Sequence, residues 1–230
     1  MKKILTLIVL ISTGAFSFGQ DMKLFRFGLK IAPGIYWDNP DNSKEYESSG
    51  ARAKFSYGLI SEIQLSKIIG IATGLEFNYT SFGINYKNPT YYLGDPNLVK
   101  KRIYSVNYID IPATVKMKTP EIGAMTYFGQ FGFNVSIRLK GKALDSKADA
   151  EVPDVNVSSE LAAMQLGLNV GGGVEYNLAG STSLLISLNY HNGFTSVLRE
   201  ESKYLFDGNN VPIKQNATLN FVSLNLGVLF

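Results

Sequence analysis

The chain has 230 residues, of which 45% are hydrophobic and 18% charged, with a formal net charge of +3 and no Cys. So small a net charge does not indicate a nucleic-acid-binding protein, and the lack of Cys excludes disulfides and thiol chemistry. Beyond the first residues, no apolar run approaches the roughly 18 residues of a transmembrane helix. The length fits one domain of barrel or sandwich size.

The first 19 residues have the three parts of an export signal. A basic start precedes an apolar run over 4–11, and small residues lead to a predicted cleavage site before Gln20. The apolar run is too short to be a membrane anchor. We therefore predict a signal peptide, 1–19, and one domain, 20–230. Without the two lysines of the leader, 20 basic residues face 19 acidic ones, a net charge of +1.

Eight segments alternate apolar and polar side chains with a period of two, which is typical of β-strands. Most of these segments are far longer than the strands of soluble proteins, which usually have about five or six residues. Taken together, the polar faces of these segments are rich in Gly and charged residues. The predicted strands are 23–37, 53–65, 69–81, 102–117, 123–139, 164–178, 182–192 and 222–230.

The connections between these strands alternate in length. Short turns are predicted at 66–68, 118–122 and 179–181, and long polar loops at 38–52, 83–101, 140–161 and 193–215. Short turns at one end and long loops at the other are typical of a transmembrane β-barrel with its long loops outside the cell. In lipid every backbone N–H and C=O must be paired, so the sheet has to close. We predict an all-β, eight-stranded antiparallel up-and-down barrel in the bacterial outer membrane.

The last predicted strand ends in Phe230, on the same face as Leu226 and Val228. We expect this face to meet lipid and Phe230 to lie at the periplasmic rim, where aromatic rings are favoured. A terminal aromatic of this kind is common in bacterial outer-membrane proteins. Phe230 is therefore predicted to be an assembly signal, read by the barrel-assembly machinery.

The stretch YIDIPATVKMK at 108–118 places an aromatic residue, an acid and a proline in one strand, at Tyr108, Asp110 and Pro112. Together with the leader, the eight strands and Phe230, it resembles the PorT-like outer-membrane β-barrel family of Gram-negative bacteria. The resemblance implies an eight-stranded barrel of the OmpX and OmpA type. The founding member of that family is linked to protein secretion, a role that we do not transfer to this chain.

Charged side chains on the inward face form the candidate site. An eight-stranded barrel is just wide enough for side chains to fill it, and buried charges must pair. We predict an ion-pair and hydrogen-bond network that fills the lumen; the alternative is a narrow path for ions or protons. The predicted network consists of Arg26, Lys30, Glu62, Glu76, Asp110, Lys116, Arg138 and Glu175.

No catalytic, cofactor or metal site is predicted. His191 is the only His, and Ser187 lies too far along the same strand to form a catalytic pair with it. The glycines at 171–173 open no helix, as a dinucleotide loop would require, and relief of crowding explains inward Gly171 and Gly173 better. The acids of 140–160 lack the spacing of a calcium loop.

The predicted loops leave two readings of the molecular role. The basic, aromatic segment 87–102 suits the phosphates of lipopolysaccharide or simply solubility, and an unknown protein could bind the extracellular loops. We expect a structural or surface-interaction protein rather than an enzyme. The alternative is a narrow pore or a component associated with transport or secretion.

Overall fold

The computed structural model describes residues 24–41, 46–86, 99–147, 151–199 and 216–230, so the predicted leader lies outside them. No membrane-spanning helix is present in this part of the chain. The described residues form ten strands: β1 (Phe25–Pro40), β2 (Tyr46–Ser48), β3 (Arg52–Gln64), β4 (Ile69–Tyr86), β5 (Val99–Lys118), β6 (Met125–Lys147), β7 (Glu151–Asn156), β8 (Met164–Ala179), β9 (Thr182–Gly193) and β10 (Ala217–Leu229).

The eight long strands close into a ring in which every neighbouring pair is antiparallel. Their order is β1, β3, β4, β5, β6, β8, β9 and β10, and β10 returns to β1. The closing pair runs from Gly28 opposite Leu229 to Pro40 opposite Ala217. Closure leaves no open sheet edge, as the bilayer requires. The predicted eight-stranded up-and-down barrel is therefore confirmed.

The outward face of the barrel is apolar and exposed to its surroundings. Phe27 and Phe133 are each 60% exposed, whereas Glu62 on the inward face is 1% exposed. The outward apolar run of β6 extends from Met125 to Leu139 and rises about 35 Å, at 3.3 Å per residue and a tilt of about 40°. That height covers an apolar membrane layer of about 25 Å and both of its interfaces.

The strands continue above the membrane layer, where their alternation changes phase. In β4, Phe77 and Tyr79 face outward, but Phe82 and Ile84 face inward and are fully buried. Outside lipid the outward face meets water, so the apolar side chains must turn to the inside. Tyr79 pairs in register with Asn107 of β5, which places the change at the same level on both strands.

A β-bulge makes the same change in β6. The register shifts where Asn107 pairs with Lys140 and the next residue of β5 pairs with Arg138, which leaves Leu139 without a partner in β5. Beyond the bulge, Ala143 is buried and Lys140 is exposed. An extra residue in one strand reverses which side chains face inward. The bulge thus moves the polar face of β6 to the outside.

Three of the predicted long loops are shorter in the structure than the sequence indicates. β1 extends to Pro40, β4 to Tyr86 and β6 to Lys147. β10 also begins earlier than predicted, at Ala217 rather than at 222. The short strands β2 and β7 lie within predicted loops and pair with β4 and β6. The prediction ended each strand where its alternation changed phase, although the backbone pairing continues past that point.

Candidate functional site

Five charged side chains from four strands meet at the periplasmic end of the lumen. Lys116 contacts Glu62 and lies 2.5 Å from Glu175 Oε1. Lys118 Nζ lies 2.9 Å from Glu62 Oε2 and 3.1 Å from Glu175 Oε1. Arg26 Nη1 lies 2.6 Å from Glu175 Oε2 and 3.4 Å from Glu62 Oε2. We call these five residues the charge cluster.

Each carboxylate of the charge cluster accepts from all three cations. Glu62 also accepts a hydrogen bond of 3.2 Å from Gln64, and Lys116 lies 3.9 Å from the centre of the Phe128 ring. Transfer of such charges out of water is costly, and only this density of close partners offsets the cost. The arrangement is therefore sensitive to the loss of any single member.

Lys118 belongs to the charge cluster but was missing from the predicted network. We placed it in a turn, whereas β5 ends at Lys118 and its side chain faces inward, 6% exposed. The signal was present in the sequence, since Lys118 continues the inward alternation of Asp110, Thr114 and Lys116. Because the predicted strand ended at 117, one residue too early, Lys118 was assigned to the turn.

The other predicted network residues lie higher in the lumen. Lys30 Nζ lies 2.6 Å from Glu76 Oε1 and forms a separate pair. Asp110 accepts a hydrogen bond of 2.7 Å from the Asn78 amide, whose oxygen accepts one of 2.9 Å from the Tyr36 hydroxyl. The predicted residues thus form separate levels rather than one continuous network.

Arg138 does not join the ion pairs of the lumen. Its guanidinium donates to the backbone carbonyl of Leu161 at 2.7 Å and also to that of Ser158. Arg138 lies directly before the bulge of β6, at the top of the membrane layer. It therefore ties the segment after β7 to the barrel wall.

The extracellular end of the barrel is filled by apolar side chains. Phe82 and Tyr104 stack with their ring centres 4.8 Å apart, and both are buried. Residues from outside the strands, such as Leu161 and Leu198, complete the packing. We call this group the apolar cap: Tyr46, Phe82, Ile84, Tyr86, Tyr104, Val106, Tyr108, Ala143, Val157, Leu161, Val197, Leu198, Ala217 and Leu219.

Arg102 lies beside the apolar cap and is not part of a basic surface. Its side chain is 2% exposed and lies 3.2 Å from Asp145 and 3.3 Å from Glu160. Arg102 therefore cannot contribute to the basic surface of segment 87–102, because the inward phase of β5 buries it. Residues 87–98 of that loop lie outside the described residues.

His191 is buried by aromatic packing in the lumen. Its ring stacks on Phe221 at 4.5 Å, and no described residue is hydrogen-bonded to its Nδ1. Ser187 accepts a hydrogen bond of 3.2 Å from Asn225. No group of three His, Cys, Asp or Glu side chains that could hold a metal occurs among the described residues.

The inward glycines of β8 stand where neighbouring strands leave no room for a side chain. A Cβ on Gly171 would lie 2.2 Å from Asn189 Oδ1, and one on Gly173 would lie 2.1 Å from the Ile186 carbonyl oxygen. Both distances are far below van der Waals contact. Glycine at these positions lets the inward side chains of β9 enter the lumen.

Phe230 and Leu229 point to opposite sides of the barrel wall. The Phe230 side chain is 54% exposed on the outward face, and its N–H donates to the Phe27 carbonyl oxygen at 2.7 Å. Leu229 is fully buried and packs with Ile60, Phe128 and Leu185. This small inward apolar group was not predicted from the sequence.

A closed barrel with an apolar outer face and a charged lumen is a transmembrane β-barrel. The family model of the outer membrane protein beta-barrel domain matches residues 16–199, so the chain belongs to that family and is a bacterial outer-membrane protein. A search of curated proteins found no match.

Solved outer-membrane proteins have a similar fold. Neisserial surface protein A (NspA) is 14% identical over 90% of this chain and 96% of its own, with a TM-score of 0.46. Ail, the attachment invasion locus protein of Yersinia pestis, is 11% identical over 91% and 100%, with a TM-score of 0.42. OprG from Pseudomonas aeruginosa is 10% identical over 90% and 95%, with a TM-score of 0.45.

Proposed function

We propose that the protein is a non-conducting outer-membrane barrel with a structural or surface-interaction role and no enzymatic activity. The observation that carries this proposal is the apolar cap. Water and ions avoid a space packed with buried aromatic and aliphatic side chains, because they find little room and few hydrogen-bond partners there. The lumen below the cap holds ion pairs, and its upper two cavities have volumes of only about 40 and 20 Å³.

Single-channel recording in planar bilayers tests this proposal. We expect no conductance steps from the folded protein, under conditions in which a porin reconstituted in the same way conducts. Reproducible steps would instead favour the alternative function, a narrow pore or a component associated with transport or secretion.

We further propose that the surface partner is the phosphate groups of lipopolysaccharide. Lys140 and Lys142 project from the outer face of β6 directly above Leu139, the last residue of its apolar run. Lys101 lies on the outward face of β5, next to β6. Ammonium groups at this level are at the height of lipid phosphates, which they attract by charge.

Binding of purified lipopolysaccharide to the protein in detergent tests this partner. Replacing both Lys140 and Lys142 with Gln should weaken the binding, and Lys54→Gln, on the inward face of β3, should not. Equal affinities of the two variants would contradict the assignment. Pull-down from native membranes would then identify a protein partner at the extracellular surface, if there is one.

A further inference from the structure

The periplasmic end of the lumen opens into a large cavity. Its volume is about 970 Å³, against about 40 and 20 Å³ for the cavities above it. All three short turns contribute to its wall, and so do Arg26, Lys118 and Glu175 of the charge cluster. We call this cavity the vestibule. Its volume lies at the upper end of the range of about 300–1,000 Å³ that is usual for ligand sites.

The wall of the vestibule carries one positive charge in excess. The charge cluster contains three cations, Arg26, Lys116 and Lys118, but only the two carboxylates of Glu62 and Glu175. At the rim, Lys67 and Glu121 are also part of the wall and cancel each other in charge.

The carboxylates higher in the lumen do not balance this charge at close range. Glu76 pairs with Lys30, and Asp110 accepts its hydrogen bond from Asn78. Neither carboxylate has an ion pair with a charge-cluster residue among the described contacts. A charge cluster that is largely removed from water and holds more cations than carboxylates favours a further anion from solution.

The cationic groups reach the vestibule and are accompanied by neutral donors. The Arg26 side chain is 14% exposed, and its Nη2 donates to Ser183 Oγ at 3.1 Å. Gln64 and Thr126 line the same wall. A guanidinium beside an ammonium, surrounded by amide and hydroxyl groups, matches the geometry of a carboxylate or phosphate.

We propose that the vestibule binds an anionic group, a carboxylate or a phosphate, carried by a soluble molecule of the periplasm. The cavity is lined by inward side chains and by turns, whereas lipid lies on the other side of the barrel wall. Solutes therefore reach the cationic groups from the aqueous side. This inference is independent of the proposed surface role, because the two sites lie at opposite ends of the barrel.

Titration of the full chain in detergent micelles with inorganic phosphate tests the site, with ³¹P line broadening at low ionic strength as the readout. Lys118→Gln makes the charge cluster neutral and should weaken phosphate binding at least tenfold. Arg199→Gln, which removes the same charge from the exposed extracellular end, should leave it unchanged. Glu175→Gln removes a competing carboxylate and should tighten it. Acetate should compete with phosphate, and glycerol should not.

Equal phosphate affinities of Lys118→Gln and Arg199→Gln would overturn the proposal, as would the absence of broadening with the unaltered protein. If Lys118→Gln does not fold, Lys67→Gln replaces it, because Lys67 is exposed in a turn and its removal should still weaken binding several-fold. Nanodiscs with and without phosphatidylglycerol show whether the bound phosphate group belongs to a soluble molecule or to a lipid. Equal phosphate binding in both is expected, and loss in the anionic discs would overturn the assignment to a soluble molecule.

Discussion

At the scale of single residues, Glu62 tests whether the charge cluster holds the barrel together. Its carboxylate accepts from Lys116, Lys118 and Arg26 and is 1% exposed. Glu62→Ala leaves three buried cations with a single carboxylate. We expect the free energy of unfolding in urea to fall by about 3–5 kcal/mol. Glu121→Ala, at the exposed rim, is the matched control; equal effects of the two changes would mean that water, not the carboxylate, solvates the cations.

Phe230 tests whether a residue on the outward face acts in assembly rather than in stability. Its ring is 54% exposed at the periplasmic rim, and that of Phe25 at the same rim is 51% exposed. We expect Phe230→Ala and Phe25→Ala to fold equally well into liposomes, because each loses a similar interfacial contact. In cells, Phe230→Ala alone should lower the amount inserted in the outer membrane. If both variants lose the same amount of folded protein in liposomes and of inserted protein in cells, Phe230 is only one of several lipid-facing aromatic residues and not an assembly signal.

At the scale of strands, the fit between β8 and β9 depends on Gly173. A Cβ there would lie 2.1 Å from a backbone oxygen of β9 and 2.5 Å from Ser187 Cβ, and backbone atoms cannot yield as a flexible side chain can. We expect Gly173→Val to destabilise the barrel by about 1–3 kcal/mol or to prevent folding. Gly129→Ala is the control, since a Cβ on this outward-facing glycine would lie 4.0 Å from its nearest neighbour, the Gly171 carbonyl oxygen. Urea unfolding of both variants gives the comparison, and equal stability would contradict the crowding argument.

At the scale of the whole molecule, ring closure predicts resistance to detergent. Every long strand has two hydrogen-bonded neighbours, so no strand can leave without breaking two ladders at once. We expect the unboiled protein to migrate on a detergent gel at a position different from that of the boiled protein. Identical migration would contradict a closed barrel in the purified protein. The same gel is the folding control for each variant described above.

The alternation of side chains was enough to determine the barrel, its eight long strands and the inward face of the candidate residues. Within the membrane layer one face of each strand meets lipid and the other a polar lumen, so a period of two is visible from the sequence alone. Above that layer the outward face meets water and the phase reverses, as at Tyr79 and Phe82. In the sequence this reversal looks like the end of a strand, and for that reason the apolar cap was not predicted.

The partners inside the lumen were decided only by the tertiary structure. Arg26 and Glu175 form an ion pair across 149 positions of the chain, and Lys116 and Glu175 across 59. Alternation tells which side chains face inward but not at which height each one stands, because height depends on strand register and tilt. Register separated Lys30 and Glu76 from the charge cluster and placed Arg138 beside backbone carbonyls. The excess positive charge of the vestibule follows from that register and from the position of Lys118, the residue that a boundary error had hidden.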